Sequence, residues 1–360
     1  MSEATEKLSD DGGALAHGLC AEQYAAVREG GAGLLELSAR GRVEVSGGEA
    51  IQFLNGLITN DVKTLGAGAW MRAAFPNPQG RLLASVRVMR LEDNFLFDTE
   101  PETREAMFKT LARFTLAGDF RVRDLSAETD MLSVQGARAG EVLEAVLGRE
   151  AASAVRGRVA SARFADASVT LLRATHTAED GFDLIAPVGV AEALREALIA
   201  AGARVVGREA QEVLRVEAGV PRYGVDMDET NVVSEVVNED ALSFTKGCYV
   251  GQEIIARIHW RGHVAKKLTG LVLDESLDET RAAMLSGAKL SAEGEERDAG
   301  RLTSCVYSPR LKRLVALGIV KYDYLAPATR VRVVATDAEV YAAQVAELPH
   351  VRGSWFAGAE

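Results

Sequence analysis

From about Lys266 onward the chain breaks into six short β-type runs, and this texture limits its fold more than any other feature. The runs 268–273, 288–290, 301–307, 314–321, 329–334 and 340–345 are separated by turn-forming or charged residues. That spacing fits a small barrel or a sandwich. The change of texture sets a boundary at 263–267.

Upstream of it, strand and helix signals alternate. The runs 70–75, 81–90 and 94–98 read as a strand meander, its first turn Pro76-Asn77-Pro78-Gln79-Gly80 dense in turn formers. Ile51, Phe53, Leu54 and Leu57 lie at near-helical spacing within 48–57. A longer helix is predicted from Pro101 to near Ala117, with Gly118-Asp119 to end it. The order recurs in outline. Strand-like 168–174 and 182–185 precede a helix over 189–201, and another helix over 208–218 carries Arg215 and Glu217. It stops at Gly219-Val220-Pro221. Residues 1–12, polar and aperiodic, read as a disordered tail.

A length of 360 residues suggests two or three domains, and 48% hydrophobic residues suffice for full cores. A net charge of −11 argues against direct nucleic-acid binding and against anionic membrane surfaces. No run approaches 18 apolar residues, so no membrane span is expected. The three cysteines, Cys20, Cys248 and Cys305, form no zinc or disulfide pattern, which favours a reducing, cytoplasmic setting and no metal. Cys20 and Cys305 read as packing residues.

Cys248 sits in Lys246-Gly247-Cys248-Tyr249-Val250-Gly251-Gln252-Glu253. The residues allow two readings. One is a tight turn around a small buried thiol. The other is a reactive thiolate, favoured by the Lys246 ammonium, in a loop shaped by Gly247 and Gly251. Nearby, His259 and His263 have an i, i+4 metal spacing, but Gly262 and the domain boundary favour a polar loop instead. Glu217, on the last turn of its helix, is a solvated or ion-paired carboxylate, or a bidentate acceptor for a ring that presents adjacent N–H groups.

The octapeptide, with Ile255-Ala256-Arg257 after it, resembles the signature of the YgfZ-type folate-binding proteins. These are relatives of the glycine-cleavage T-protein, an aminomethyltransferase, and include a mitochondrial iron–sulfur assembly factor. Two further segments are similar to that superfamily: 214–226, with Arg215, Glu217, Gly219, Pro221, Gly224 and Asp226, and 53–62 near the N-terminus. The resemblance implies an α+β fold with two intertwined α+β units over 13–264, followed by a C-terminal β-barrel over 265–360. It implies tetrahydrofolate or a derivative as cofactor, with Glu217 at the pterin and Tyr223 and Glu235 lining the pocket, while Arg257 either meets a folate carboxylate or pairs with Glu253. Cys248 and Lys246 would carry the chemistry near its mouth, with Gly247, Tyr249, Gly251, Gln252 and Glu253 as the rest of the motif.

One stretch departs from the aminomethyltransferases, whose hairpin strand carries an Asp pair after the glycine turn. Here Gly80-Arg81-Leu82-Leu83-Ala84-Ser85-Val86 has no carboxylate. Proton handling at a folate nitrogen needs a positioned acid or base. The resemblance therefore implies a folate-binding protein that supports iron–sulfur assembly or repair in client enzymes, tRNA-modifying enzymes among them. The alternatives are a folate-dependent aminomethyltransferase and a non-catalytic docking module that uses the barrel.

Overall fold

The computed structural model describes residues 11–294, 297–335 and 339–357. Most of the tail expected over 1–12 lies outside these residues; Asp11 and Gly12 open the first helix. The chain begins with α1 (Asp11–Arg28), β1 (Gly33–Glu36), β2 (Gly41–Ser46) and α2 (Ala50–Leu57). The meander follows as β3 (Ala69–Pro76), β4 (Leu82–Arg90) and β5 (Asn94–Thr99), then α3 (Arg104–Ala112) and β6 (Arg121–Asp124). These strands pair in the order β3-β4-β5-β2-β6.

The second unit contains β7 (Thr129–Gln135), α4 (Ala139–Leu147), α5 (Arg149–Ala152), β8 (Val159–Phe164), β9 (Ala167–Arg173) and β10 (Gly181–Pro187). It continues through α6 (Val188–Ala200), β11 (Arg204–Val205), α7 (Arg208–Glu217), α8 (Val233–Val236) and α9 (Gln252–Arg261). Its sheet runs β11-β1-β7-β10-β9-β8. Strand β1 precedes the whole first sheet in sequence yet pairs with β7 and β11 of the second. The two α+β units are thus intertwined, as expected.

The expected meander strands form β3 to β5 with little change of limits. The helix expected over 101–117 is shorter. It starts as a single 3-10 turn at Pro101–Thr103 and ends at Ala112. The next residues leave the helix so that Phe114 can join Phe53 and Phe120, with ring centroids 5.3 to 6.5 Å apart. Burying the three rings together outweighs a longer exposed helix.

The C-terminal runs become β12 (Lys266–Leu273), a short α10 (Ala282–Leu285), β13 (Lys289–Ala292), β14 (Asp298–Ser308), β15 (Arg313–Lys321), β16 (Arg330–Val334) and β17 (Val340–Ala346). They close into a barrel in the order β12-β15-β14-β13-β16-β17. Closure decides between the barrel and the sandwich that the spacing alone left open, and it removes sheet edges. Leu271, Leu302, Leu314, Val333 and Cys305 fill the interior. Burial pushes the Cys305 thiol up to about 12, so this cysteine is a packing residue there. Cys20 packs beside the buried residues of α1 and α7. No helix among the described residues is long and apolar enough to cross a membrane.

Candidate functional site

A cavity of about 430 Å³ lies where the two α+β units and the C-terminal segment meet. Strands β3 and β4 contribute Trp70, Arg72, Ser85 and Arg87, while the loop before β10 contributes His176. Residues 218–221 and 236–238 close another side, and Leu348, Trp355 and Phe356 cover it from the C-terminal segment. The volume lies in the range of small-molecule sites, and its walls are part apolar and part polar.

Four of the polar groups, Arg40, Arg87, Glu100 and His176, belong to one chain of ion pairs and hydrogen bonds. Glu100 accepts from Arg40 Nη1 at 2.5 Å. Arg40 also grips Asp98 through Nε and Nη2, at 2.7 and 2.9 Å. Arg87 Nε donates at 2.7 Å to Asp98 Oδ2, the oxygen that also accepts from Arg40 Nη2, and its Nη1 reaches Asp183. Asp183 completes the chain at His176 Nε2, 3.0 Å away. Asp98 and Asp183 are fully buried. Burial alone would raise both carboxyl groups, but for Asp98 the cations Arg40 and Arg87, and for Asp183 the His176 and Arg87 side chains, hold them well below the usual carboxylate range.

Two donors in this wall are buried and unpaired among the described residues: Arg87 Nη2 and Trp70 Nε1. Both belong to cavity-lining side chains. A buried N–H without an acceptor costs about 1–3 kcal/mol, so a ligand acceptor placed there would recover real free energy.

The expected site residues fall elsewhere. Glu217 is a correction. Its carboxylate is fully buried and accepts from Tyr24 Oη at 2.9 and 3.1 Å, from Arg28 Nε at 3.0 Å and from Ser308 Oγ at 2.5 Å. Nothing is left to face a pterin. Glu235 is buried next to Val236 and Val237, which do line the cavity, and accepts from Asn231 Nδ2 and the Val232 N–H at 3.2 Å. Tyr223 is half-buried and Arg257 exposed on α9; neither lines the cavity.

The Cys248 motif also lies outside the cavity wall. Lys246 turns inward and donates from Nζ to the carbonyls of Ile58 and Asn60, both at 2.7 Å. Its ammonium, brought down to about 8 by burial, is committed to the backbone rather than to the thiol. This corrects the expectation that it activates Cys248. Gly251 adopts φ 75° at the start of α9, and a Cβ there would stand 2.4 Å from the Asn77 carbonyl oxygen. Only glycine lets the motif close on the turn before β4. Tyr249 is buried against Leu82, Val233 and Ile255, its hydroxyl unpaired among the described residues. Gly247, with open space around its Cα, is exposed with Cys248; Gln252 and Glu253 open α9. The motif is therefore a rigid bracket that displays one thiol.

Helix α9 runs through His259 to Arg261, beyond the loop expected at 259–263, because His259 stacks on Phe244 with centroids 3.6 Å apart. His263 stacks instead on Tyr322 of the barrel side. The two rings are parted, and no cluster of metal ligands exists among the described residues.

Comparison with known proteins agrees with this architecture. Residues 11–246 match the model of the GCVT N-terminal domain, and 266–351 that of the glycine cleavage T-protein C-terminal barrel domain. An aminomethyltransferase of Thermus thermophilus is 32% identical over 309 residues, covering 83% of this chain and 82% of that protein. One from Rubrobacter xylanophilus is 31% identical over 290 residues, covering 80% and 76%. The crystal structure of the glycine cleavage aminomethyltransferase T from Bartonella henselae superposes with a TM-score of 0.81 at 24% identity, over 92% of this chain and 90% of that one. The chain belongs to the glycine cleavage T-protein family. Its similar relatives are named aminomethyltransferases.

The sequence reading missed Arg40, Trp70, Arg87, Asp98, His176 and Asp183. A signal was present: Asp98 in Asn94–Thr99 and Asp183 in Gly181–Pro187 are lone carboxylates in apolar strands. A charge in such a strand has to find a buried partner.

Proposed function

We propose that this protein binds tetrahydrofolate or a derivative in the central cavity and serves a folate-dependent transfer of the aminomethyl class. The observation that carries the reading is the pair of buried, unpaired donors, Arg87 Nη2 and Trp70 Nε1, in a cavity that also offers the Glu100 carboxylate. A pterin edge presents acceptors and donors side by side, and these groups match both kinds. Trp70, Trp355 and Phe356 provide apolar surface for flat rings, and the half-exposed Arg72 suits a carboxylate of a glutamyl tail. Tetrahydrofolate, when bound, supplies the carrier for the one-carbon unit. The protein's part is to hold it dry and oriented.

The test is calorimetric titration with tetrahydrofolate under anaerobic, reducing conditions, on the wild type and Trp70→Phe. Saturable binding is expected, weakened about tenfold in the variant, since one hydrogen bond contributes about 1.4 kcal/mol. Absence of binding to the wild type removes the folate reading. Equal affinity of the two proteins moves the ligand away from Trp70.

A second reading is favoured by the exposed thiol of Cys248 on its rigid bracket and by the absence of a carboxylate at Ala84 and Ser85. In it, folate-bound protein supports iron–sulfur cluster assembly or repair in client enzymes, those that modify tRNA included, as the YgfZ-type motif suggests. One thiolate cannot hold a cluster that takes about four, so contact with the client would be shared or transient. Cells that lack the protein are expected to recover iron–sulfur enzyme activity with the wild type and not with Cys248→Ala. Full recovery with the variant would end this reading.

A further inference from the structure

His176 lies on the loop between β9 and β10, where its backbone N–H donates to Gln135 Oε1 at 3.0 Å. Its side chain is only 18% exposed, and it lines the cavity. Nε2 stands 3.0 Å from both oxygens of Asp183. An ionised carboxylate only accepts hydrogen bonds, so Nε2 carries the hydrogen. In the neutral ring the lone pair is then on Nδ1, and Nδ1 has no partner among the described residues. A carboxylate that fixes one ring nitrogen sets which tautomer the other presents.

The surroundings favour this division of roles. Asp183 on β10 meets the imidazole directly, Arg87 on β4 is linked to it through Asp183, and Asp98 lies one bond further on. Glu179, on the same loop as His176, is turned away to Arg28 and Ser354. Glu100 and Arg40 pair with each other in the cavity wall. Ser85 and Arg87 are two residues apart on β4, hence on one face of the strand, and both line the cavity. The strand without a carboxylate is thus the strand that anchors Asp183, and through it His176.

We propose that His176 is the proton-handling group of this cavity, held by Asp183 as a positioning residue and standing in for the carboxylate that β4 lacks. The inference rests on the folate-dependent transfer reading. A proton leaves an amine nitrogen bound in the cavity for Nδ1, and the electron pair left on that nitrogen forms a bond to the aminomethyl carbon. The bond from that carbon to the departing amine breaks, its electron pair going with the amine nitrogen, and Nδ1 returns the proton there, so the imidazole ends as it began.

The experiment follows the Cε1–H resonances of the protein's five histidines by NMR, with and without tetrahydrofolate, beside calorimetry and an assay of aminomethyl transfer to tetrahydrofolate. The His176 signal is expected to move on addition of tetrahydrofolate, while those of His259 and His263 stay. His176→Gln should keep its affinity for tetrahydrofolate and lose transfer by about a hundredfold. Binding that leaves the His176 resonance in place, or transfer at the wild-type rate in the variant, overturns the proposal alone. No binding to the wild type overturns the folate reading and this proposal with it. Should His176→Gln fail to fold, the wild-type spectrum still decides.

Discussion

Glu217→Ala is expected to cost about 3 kcal/mol of stability, as is usual when one partner of a buried ion pair is removed, and to leave tetrahydrofolate affinity unchanged. The carboxylate ties together Arg28 and Tyr24 of α1 and Ser308 of β14, and the backbone carbonyl of the same residue accepts from the Val351 N–H at 3.0 Å. One side chain therefore clamps the N-terminal helix, the helix it sits on and the barrel. Removing it leaves two hydroxyls without their acceptor and takes one anion from a guanidinium that is 3% exposed. The loss falls at the lower end of the usual range because Arg28 keeps Glu179, 3.0 Å away. The burial of Tyr24 beside Glu217 already pushes its hydroxyl far above the ordinary tyrosine range, so it stays a donor throughout accessible pH. Urea denaturation beside calorimetry checks both halves. A variant of native stability that no longer binds tetrahydrofolate would return Glu217 to the ligand and sink the clamp.

Glu217 also shows what the sequence made legible. Its helix was readable, since Ala210 and Leu214 recur on one face and both are buried. Its partners were not, because they lie 91 to 193 residues away and carry no local pattern. The barrel strands were legible for the opposite reason: each is an apolar run bounded by turns, and neighbours in the sheet are often neighbours in the chain. The interleaving of the two α+β units needs β1 to reach β7, and no periodicity encodes a pairing of that range. It came from resemblance alone.

The octapeptide motif is plain in the sequence, but the direction its lysine takes is not. Lysine beside cysteine in sequence suggested an ammonium beside a thiolate. In the fold, the loop turns Lys246 and Tyr249 inward and leaves Gly247 and Cys248 facing out. Adjacency along an irregular loop says little about adjacency in space. What Lys246 does is hold the end of α2 and the turn after it, through two carbonyls. A lysine so placed has a structural use even if the thiol has no role. The reactive-cysteine reading thus rests on the exposure of Cys248 itself.

Arg87→Met should be the most damaging single change near the cavity, at about 3–5 kcal/mol near neutral pH, because it leaves two fully buried carboxylates short of a cation. Methionine replaces much of the length, so the loss is electrostatic rather than a void. In the wild type Asp98 and Asp183 have folded-state pKa values below their unfolded ones. Their contribution is therefore present above an unfolded pKa of about 3.9 and fades only as pH falls through the lower folded values. In the variant only His176 and the Ser133 hydroxyl still offset the desolvation of Asp183, and its folded value is expected to rise above the unfolded one. A carboxyl of that kind binds its proton more tightly when folded, so the variant gains stability relative to the wild type as pH drops toward 5. The gap between the two urea midpoints is expected to be widest at pH 8 and to narrow at pH 5. A gap that stays constant would mean that packing, and not the charge chain from Glu100 to His176, is what Arg87 supplies. A gap that narrows would make that chain the electrostatic spine joining the two units at the cavity, which is why a polar, ligand-sized space can persist between two apolar cores.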